Sequence, residues 1–428
     1  MLRRMSAGSP VSIAEHFRRL SRVQRHVFWA AFLSWSLDSL DFFLLIMCRP
    51  AIAKEFNVPL SSVGNAVFLT LIFRPVGAFL FGLMADRLGR KPTLIINILC
   101  YSAVELSCAF APSLAVLLVL RALFGIAMGG VWGVGAALTF ETLPSEGRGV
   151  FSGLLQEGYA VGYLLAAALY GLLFNGIHLG GLNLPIGWRG LFIIGAAPAL
   201  LVFFVERSVQ ESPAWVEARQ RKAAQAVDAP PRPSVWAYAP TFLFLVVLMS
   251  AFCSFSHGTQ DGYPSFLTRD RGFSAGLVGL LAVIYNIGSL TGGIVFGSLS
   301  ERWGRKRAVI TAALLAIPIV PLFAYGHSPV VLGIGAFLMQ FMVQGAWGVV
   351  PVWLTELSPG PVRAILPGFA YQLGNLITSR NLVLQDKLAD RFGSYSPVLA
   401  GTVVVVALVL AIVAAFGRES RGVELEAV

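Results

Sequence analysis

The chain has 428 residues, of which 56% are hydrophobic and only 13% charged, whereas ordinary soluble domains carry about 25% charged residues. So low a charge content excludes a water-facing globular surface and places most of the chain against hydrocarbon or other apolar helices. The formal net charge of +10 does not mark a nucleic-acid binder, because the basic residues sit in short loops rather than in one patch.

The N-terminal stretch MLRRMSAGSPVSIAEHFRRLSRVQR is basic with no apolar core behind it, so no cleaved signal is expected. Ser12 and Glu15 have the spacing of a capping box opening a short basic surface helix, with a frayed tail as the alternative. Crossing a bilayer as a helix takes about 20 apolar residues. Twelve runs of that length follow, at about 26–47, 61–84, 92–111, 114–139, 149–174, 187–205, 238–264, 274–298, 307–326, 329–354, 364–386 and 395–417, here helices 1 to 12. The expected division is a cytoplasmic segment 1–25, a six-helix bundle 26–205, a polar linker 206–237 containing APPRPS, a second bundle 238–417 and a tail 418–428. Cys48, Cys100, Cys108 and Cys253 show no zinc or redox spacing and read as small hydrophobes. No metal site and no cofactor is expected.

The chain repeats itself at half length. GLMADRLGRKPTLI at Gly82–Ile95 returns as GSLSERWGRKRAVI at Gly297–Ile310, 215 residues on. The same spacing relates ETLPSEGR at Glu141–Arg148 to ELSPGPVR at Glu356–Arg363, and Trp132-Gly133 to Trp347-Gly348. Six spans per half leave both basic turns on one side of a membrane. With that side and both termini cytoplasmic, the inner loops and tails hold 22 of the 32 Lys and Arg and the outer loops seven, the asymmetry expected of a plasma (inner) membrane protein.

A charge at mid-bilayer costs about 2.5–3.5 kcal/mol on insertion scales, so ionisable residues inside spans are candidates for function. They are Asp38 and Asp41 (helix 1), Arg74 (helix 2), Glu105 (helix 3), Arg121 (helix 4), Glu157 (helix 5), and His257 and Asp261 (helix 7), with Arg380 near the outer end of helix 11. Arg74 stands twelve residues before Asp86, about 18 Å along a helix, near the midplane. A guanidinium there suits a bidentate grip on a carboxylate; an internal ion pair with Asp38 or Asp41 is the alternative. His257 and Asp261 are four apart and share a helix face, an arrangement able to take up and release a proton, or, more plainly, a polar cluster at a kink before Pro264. Gln372 and Asn375, three apart on helix 11, can orient a substrate without adding charge. Across the repeat Asp38 and Asp41 map to Cys253 and Ser256, and Glu157 to Gln372, which predicts a central cavity between the halves.

This plan resembles the major facilitator superfamily over essentially the whole chain. The resemblance implies an all-α membrane protein of twelve transmembrane helices in two pseudo-symmetric six-helix bundles. Its signature is Gly82, Asp86, Arg87, Gly89, Arg90 and Lys91, echoed by Gly297, Gly304, Arg305 and Lys306, residues expected to gate the cytoplasmic face rather than touch cargo. RALFGIAMGG resembles the superfamily's Arg-plus-glycine pattern on helix 4, which gives Arg121 a structural or proton-coupling role.

CSFSHGTQDGYPS at Cys253–Ser265 is similar to the helix 7 signature of yeast-type lactate permeases in the sialate/monocarboxylate proton symporter family, with Cys253 departing from the family Asn. LDSLDFF, LLQEGYAVGYLLA and PGFAYQLGN also look like those permeases. The resemblance implies a secondary active transporter, not an enzyme, that carries lactate, pyruvate or acetate with protons by alternating access. Arg74, Gln260, Gln372 and Asn375 would recognise the anion; Asp38, Asp41, His257, Asp261 and Arg121 would couple the proton. The expected partners are a small organic acid anion, protons and membrane lipid, with no nucleic acid, and the chain is expected to be a monomer. Competing readings are a sialate, aromatic-acid or dicarboxylate symporter of the same fold and a carboxylate sensor that moves nothing. A drug or sugar carrier is a further rival, to which the sugar-porter-like Glu211-Ser212-Pro213 run points.

Overall fold

The computed structural model describes residues 13–174, 177–179, 182–184, 186–224 and 235–425; Ser12 of the expected capping box and the APPRPS run lie outside them. Ten helices are long and apolar enough to cross a membrane. They are helix 1 (Arg22–Glu55), helix 2 (Leu60–Leu88), helix 3 (Arg90–Ala109), helix 4 (Leu114–Thr142), helix 6 (Gly187–Ser208), helix 7 (Trp236–Arg269), helix 8 (Ala275–Trp303), helix 9 (Arg305–Ala324), helix 10 (Pro329–Leu357) and helix 12 (Tyr395–Phe416). The remaining two spans are broken. Helix 5 comes as Arg148–Gln156 and Gly158–Leu173, and helix 11 as Leu366–Thr378 and Asn381–Phe392, with helix-poor Gly158 and Ser379 at the breaks. Between helices 5 and 6, Ile177–Leu179 pairs antiparallel with Leu182–Leu184. Short helices at Ile13–Arg19 and Pro213–Ala224 precede helix 1 and follow helix 6.

Serine oxygens cap several starts: Ser113, Ser274 and Ser328 accept from the backbone N–H three residues on, and Ser21 forms a full capping box with Gln24. The two basic turns use another device. Gly89 and Gly304 have φ of 110° and 92°, a region open to glycine, so each chain reverses within one residue. A carboxylate then caps the new helix. Glu211 accepts from the backbone N–H of Arg90 (2.9 Å) and Lys91, and Glu419 from those of Arg305 (2.8 Å) and Lys306 (3.2 Å).

At the basic-turn end the two halves close on glycine. A Cβ on Gly82 would lie 2.8 Å from the Ile365 Cα, one on Gly297 2.5 Å from the Gly149 oxygen, one on Gly153 2.4 Å from the Gly293 oxygen, and one on Gly133 3.0 Å from the Gly368 Cα. Small residues let backbones approach where lipid supplies no hydrophobic drive. At the basic-turn end the first pieces of helices 5 and 11 pack across the halves, against helices 8 and 10 and against helices 2 and 4; the second pieces pack mainly within their own half. The molecule is thus shut at the basic-turn end and parted at the other.

Gly153→Leu should therefore block closure. With a single reporter cysteine in place of Asn375, labelling by a membrane-impermeant maleimide from the opposite side is expected to fall relative to the reporter alone; unchanged labelling would show that this seam does not set the state.

Candidate functional site

Midway along helices 1 and 2, Arg74 and Asp38 face each other, with Nη2 3.6 Å from Oδ2. Helix 4 helps to set this position, since a Cβ on Gly129 would lie 2.1 Å from the Arg74 carbonyl oxygen. Arg74 is 3% exposed and stands 5.8 Å from the Phe42 ring centroid. Its Nε and Nη2, and both Asp38 oxygens, lack a hydrogen-bond partner among the described residues. The pair is an electrostatic contact in which two guanidinium nitrogens remain without a hydrogen bond. The internal ion pair expected as the alternative for Arg74 is thus realised, with Asp38, but loosely.

Tyr159 and Tyr371 lie within electrostatic reach of both Arg74 and Asp38, and Tyr159 also of Asp261 in the other half. On the C-terminal side His257 Nδ1 is 3.0 Å from Asp261 Oδ2 and Nε2 3.3 Å from Asn375 Oδ1. These two side chains keep 37% and 33% of their surface exposed, although they belong to the interior of the fold, so they line the parted cleft. Gln260 donates to Ser256 Oγ (2.6 Å) and accepts from the Tyr285 hydroxyl (2.6 Å). Gln372 is buried with its Oε1 unpartnered. Aromatic rings complete the walls: Trp35 stacks on Tyr159 at 5.7 Å, and Tyr371 sits between Trp132 (4.9 Å) and Trp347 (5.5 Å), the two tryptophans related by the repeat. Cys253 lies in the core of the second half, fully buried.

A second charged group lies behind helix 1. Arg121 pairs with Glu105, donates from Nε to Cys108 Sγ at 3.2 Å, and lies 4.4 Å and 5.1 Å from the Phe124 and Phe192 ring centroids. Asp41 is buried with neither oxygen hydrogen-bonded. Arg121 is thus held away from the cleft, with Glu105 as its partner.

The basic turns form a repeated lattice. Arg90 makes a bidentate contact with Glu141 (2.9 and 2.9 Å) and pairs with Asp86 at 3.0 Å. Arg305 does the same with Glu356 (3.2 and 3.1 Å) and Glu301 (2.8 Å). Ser212 and Ser420 donate to Glu141 and Glu356. Between halves, Arg363 reaches Glu141 at 3.8 Å, the Gly149 N–H donates to Glu301, and the Val352 N–H donates to Ser152 Oγ at 3.1 Å. Lys91 donates to the Glu206 carbonyl at 2.8 Å. Arg87 is exposed and has no partner among the described residues, so it stands apart from the lattice. Asp86 was part of the motif; Glu141, Glu301 and Glu356, the serines beside them, and the cleft's Tyr159, Tyr285 and Tyr371 are the participants to which motif reading alone gave no role.

The family model of the Major Facilitator Superfamily matches residues 31–260 and 253–424, and the chain belongs to that superfamily: a multi-pass membrane transporter, not an enzyme. It is 31% identical over 410 residues to a probable 4-methylmuconolactone transporter of Cupriavidus pinatubonensis, covering 94% of this chain and 92% of that one. With a carboxylic acid transporter protein homolog of Saccharomyces cerevisiae it shares 28% identity over 88% of this chain and 63% of the yeast protein, so it spans less than two thirds of that relative. The solved proton:xylose symporter XylE, bound to 6-bromo-6-deoxy-D-glucose, superposes with a TM-score of 0.76 at 18% identity, covering 94% of this chain and 97% of that one; this likeness is one of fold.

Removing one member of a buried, hydrogen-bonded ion pair costs about 3–5 kcal/mol. Arg121→Leu is expected to lower the thermal midpoint in detergent clearly more than Arg74→Leu, whose parent side chain makes no hydrogen bond to Asp38; equal losses would contradict the distinction drawn between the two arginines.

Proposed function

We propose that this protein carries small organic acid anions, lactate, pyruvate and acetate among them, across the plasma (inner) membrane together with protons, with its basic-turn face and both termini in the cytoplasm. The observation that carries the reading is Arg74: a fixed positive charge at mid-depth beside the cleft, held by one carboxylate at 3.6 Å with two guanidinium nitrogens unused. A carboxylate from solution completes what Asp38 leaves incomplete, because guanidinium and carboxylate match as a two-bond fork. Asn375 and Gln260 stand where they can orient the rest of the acid, with Gln372 behind them. The two transporters of organic acids or lactones to which the chain is similar by sequence support the same class.

The cycle starts from the cleft parted on the outer side. The anion takes Arg74, Asp38 loses its partner, and a proton delivered along the exposed His257–Asp261 pair neutralises it. Only a neutral interior moves through the closed intermediate without a large electrostatic cost. One proton per monoanion makes transport electroneutral. A pH difference of one unit then supplies about 1.4 kcal/mol, a tenfold accumulation, and the membrane potential supplies none.

A second reading, an acid with a ring or unsaturated body, is favoured by one observation: the walls near Arg74 carry Trp35, Tyr159 and the Trp132–Tyr371–Trp347 sandwich. Planar bodies pack well on such faces. Competition of muconate or benzoate against labelled lactate separates the two.

In proteoliposomes, Arg74→Ala is expected to abolish acid uptake and Arg74→Lys to restore only a small part of it. His257→Ala should chiefly change the dependence of uptake on external pH. Wild-type kinetics in both Arg74→Ala and His257→Ala would refute the site.

A further inference from the structure

The charges buried around Arg74 and Arg121 do not balance. Asp38, Asp41 and Glu105 are each 0% exposed, and they face two guanidinium groups, Arg74 at 3% and Arg121 at 0%. Arginine stays charged in proteins, so with all three acids ionised this dry group carries one negative charge too many, a cost that burial makes severe. The repeat-related positions of the other half are Cys253, Ser256, Val320, Ser289 and Ala336, none of them ionised there, so the imbalance belongs to this half alone.

Geometry says where the excess lies. Asp38 faces Arg74, and Glu105 faces Arg121. Asp41 faces neither: both its oxygens lack partners, as does Glu105 Oε1. A Cβ built on Gly195 of helix 6 would lie 2.8 Å from Asp41 Oδ1 and 3.5 Å from Glu105 Oε1, so both carboxyl groups border the space left by a residue with no side chain. Glu105, Asp38 and Arg121 are the charged groups that act on Asp41. The Tyr101 hydroxyl, buried and unpartnered, lies within electrostatic reach of Asp41 and Asp38. Cys48 of helix 1 and Cys108 of helix 3 complete the titratable groups around Glu105, while helix 6 brings Gly195 and Phe192.

We infer that Asp41 and Glu105 share one proton that remains in the protein throughout the cycle, clamped by Arg121, and that Glu105 is thereby a positioning residue for transport. A carboxyl–carboxylate pair holding one proton carries a single negative charge, which Arg121 cancels. Asp38 is then left as the one acid whose charge answers to Arg74, so the proton that travels with the anion has a single destination. This assignment rests on the proton-coupled reading above, but its test does not.

The infrared spectrum of the purified protein at neutral pH reads the shared proton directly, through the C=O stretch of a protonated carboxylic acid, which ionised carboxylates lack. Because Glu157 of helix 5 is also buried with an unpartnered carboxyl oxygen, the comparison is made in a Glu157→Gln background. That protein is expected to show such a band without added acid, shifted in D2O, and Glu105→Gln added to it is expected to remove the band. Absence of the band in the Glu157→Gln protein overturns the inference even if the double variant fails to fold, and so does its persistence in a folded double variant. In proteoliposomes Glu105→Gln should slow uptake while leaving the ratio of protons to acid at the wild-type value; a lower ratio would show that this proton travels. If the wild type moves acid without protons, the coupled reading fails while the band still decides the inference.

Discussion

A guanidinium and a carboxylate 3.6 Å apart, without a hydrogen bond between them, set the terms for the rest of the molecule. Were Arg74 tightly forked to Asp38 it would be a strut, as Arg121 is on Glu105; were it unpaired, the empty protein would bear a bare charge in its interior. The looseness follows from sequence and packing together. Helix 4 presents Gly125 and Gly129 to helix 2, where added Cβ atoms would lie 2.3 Å and 2.1 Å from the Thr70 and Arg74 carbonyl oxygens, and this close approach fixes where Arg74 can reach. The internal carboxylate thus serves as a placeholder that an incoming one can displace.

Displacement has consequences only if the site meets one side of the membrane at a time. That condition is met some distance away, at the basic turns, where Gly82, Gly133, Gly149, Gly153, Gly293, Gly297 and Gly368 bring backbones into contact and the Arg90–Glu141 and Arg305–Glu356 forks brace each half. The forks stabilise each bundle internally. The ties between bundles are fewer, an ion pair of Arg363 with Glu141 at 3.8 Å and single backbone N–H bonds from Gly149 to Glu301 and from Val352 to Ser152, as befits a seam that must open. Rigid halves joined by a weak seam are what a rocking motion requires.

Much of this was legible in the chain. The 215-residue repeat announced both basic turns and set Glu141 and Glu356 at equivalent positions, because equivalent folds place equivalent residues at equal spacing, but it did not join those acids to Arg90 and Arg305. The caps Glu211 and Glu419 escaped notice because they lie 208 residues apart, out of register with the repeat after loops of different length. Asp38 and Asp41 remained interchangeable as partners of Arg74, since they are three apart on one helix and only the rotation of helix 1 against helices 2 and 3 separates them. Glu105 stood among the costly charges but had no assigned work: its neighbours come from helices 1, 4 and 6, and no local pattern joins them. The breaks in helices 5 and 11 fall at short polar stretches, Gln156-Glu157 and Ser379-Arg380-Asn381, too brief to divide the longer runs that read as single spans. Arg87, a member of the motif, faces outward, a reminder that a signature mixes contacts within the fold with residues at the membrane surface.

Acid binding to the purified Asp38→Asn protein, measured by calorimetry across a range of pH, tests most directly whether Asp38 holds the anion's place on Arg74. The account predicts that this variant binds the acid at least as tightly as the wild type, and that its affinity, unlike that of the wild type, does not strengthen as the pH falls. Loss of binding, or a pH dependence like that of the wild type, would contradict it.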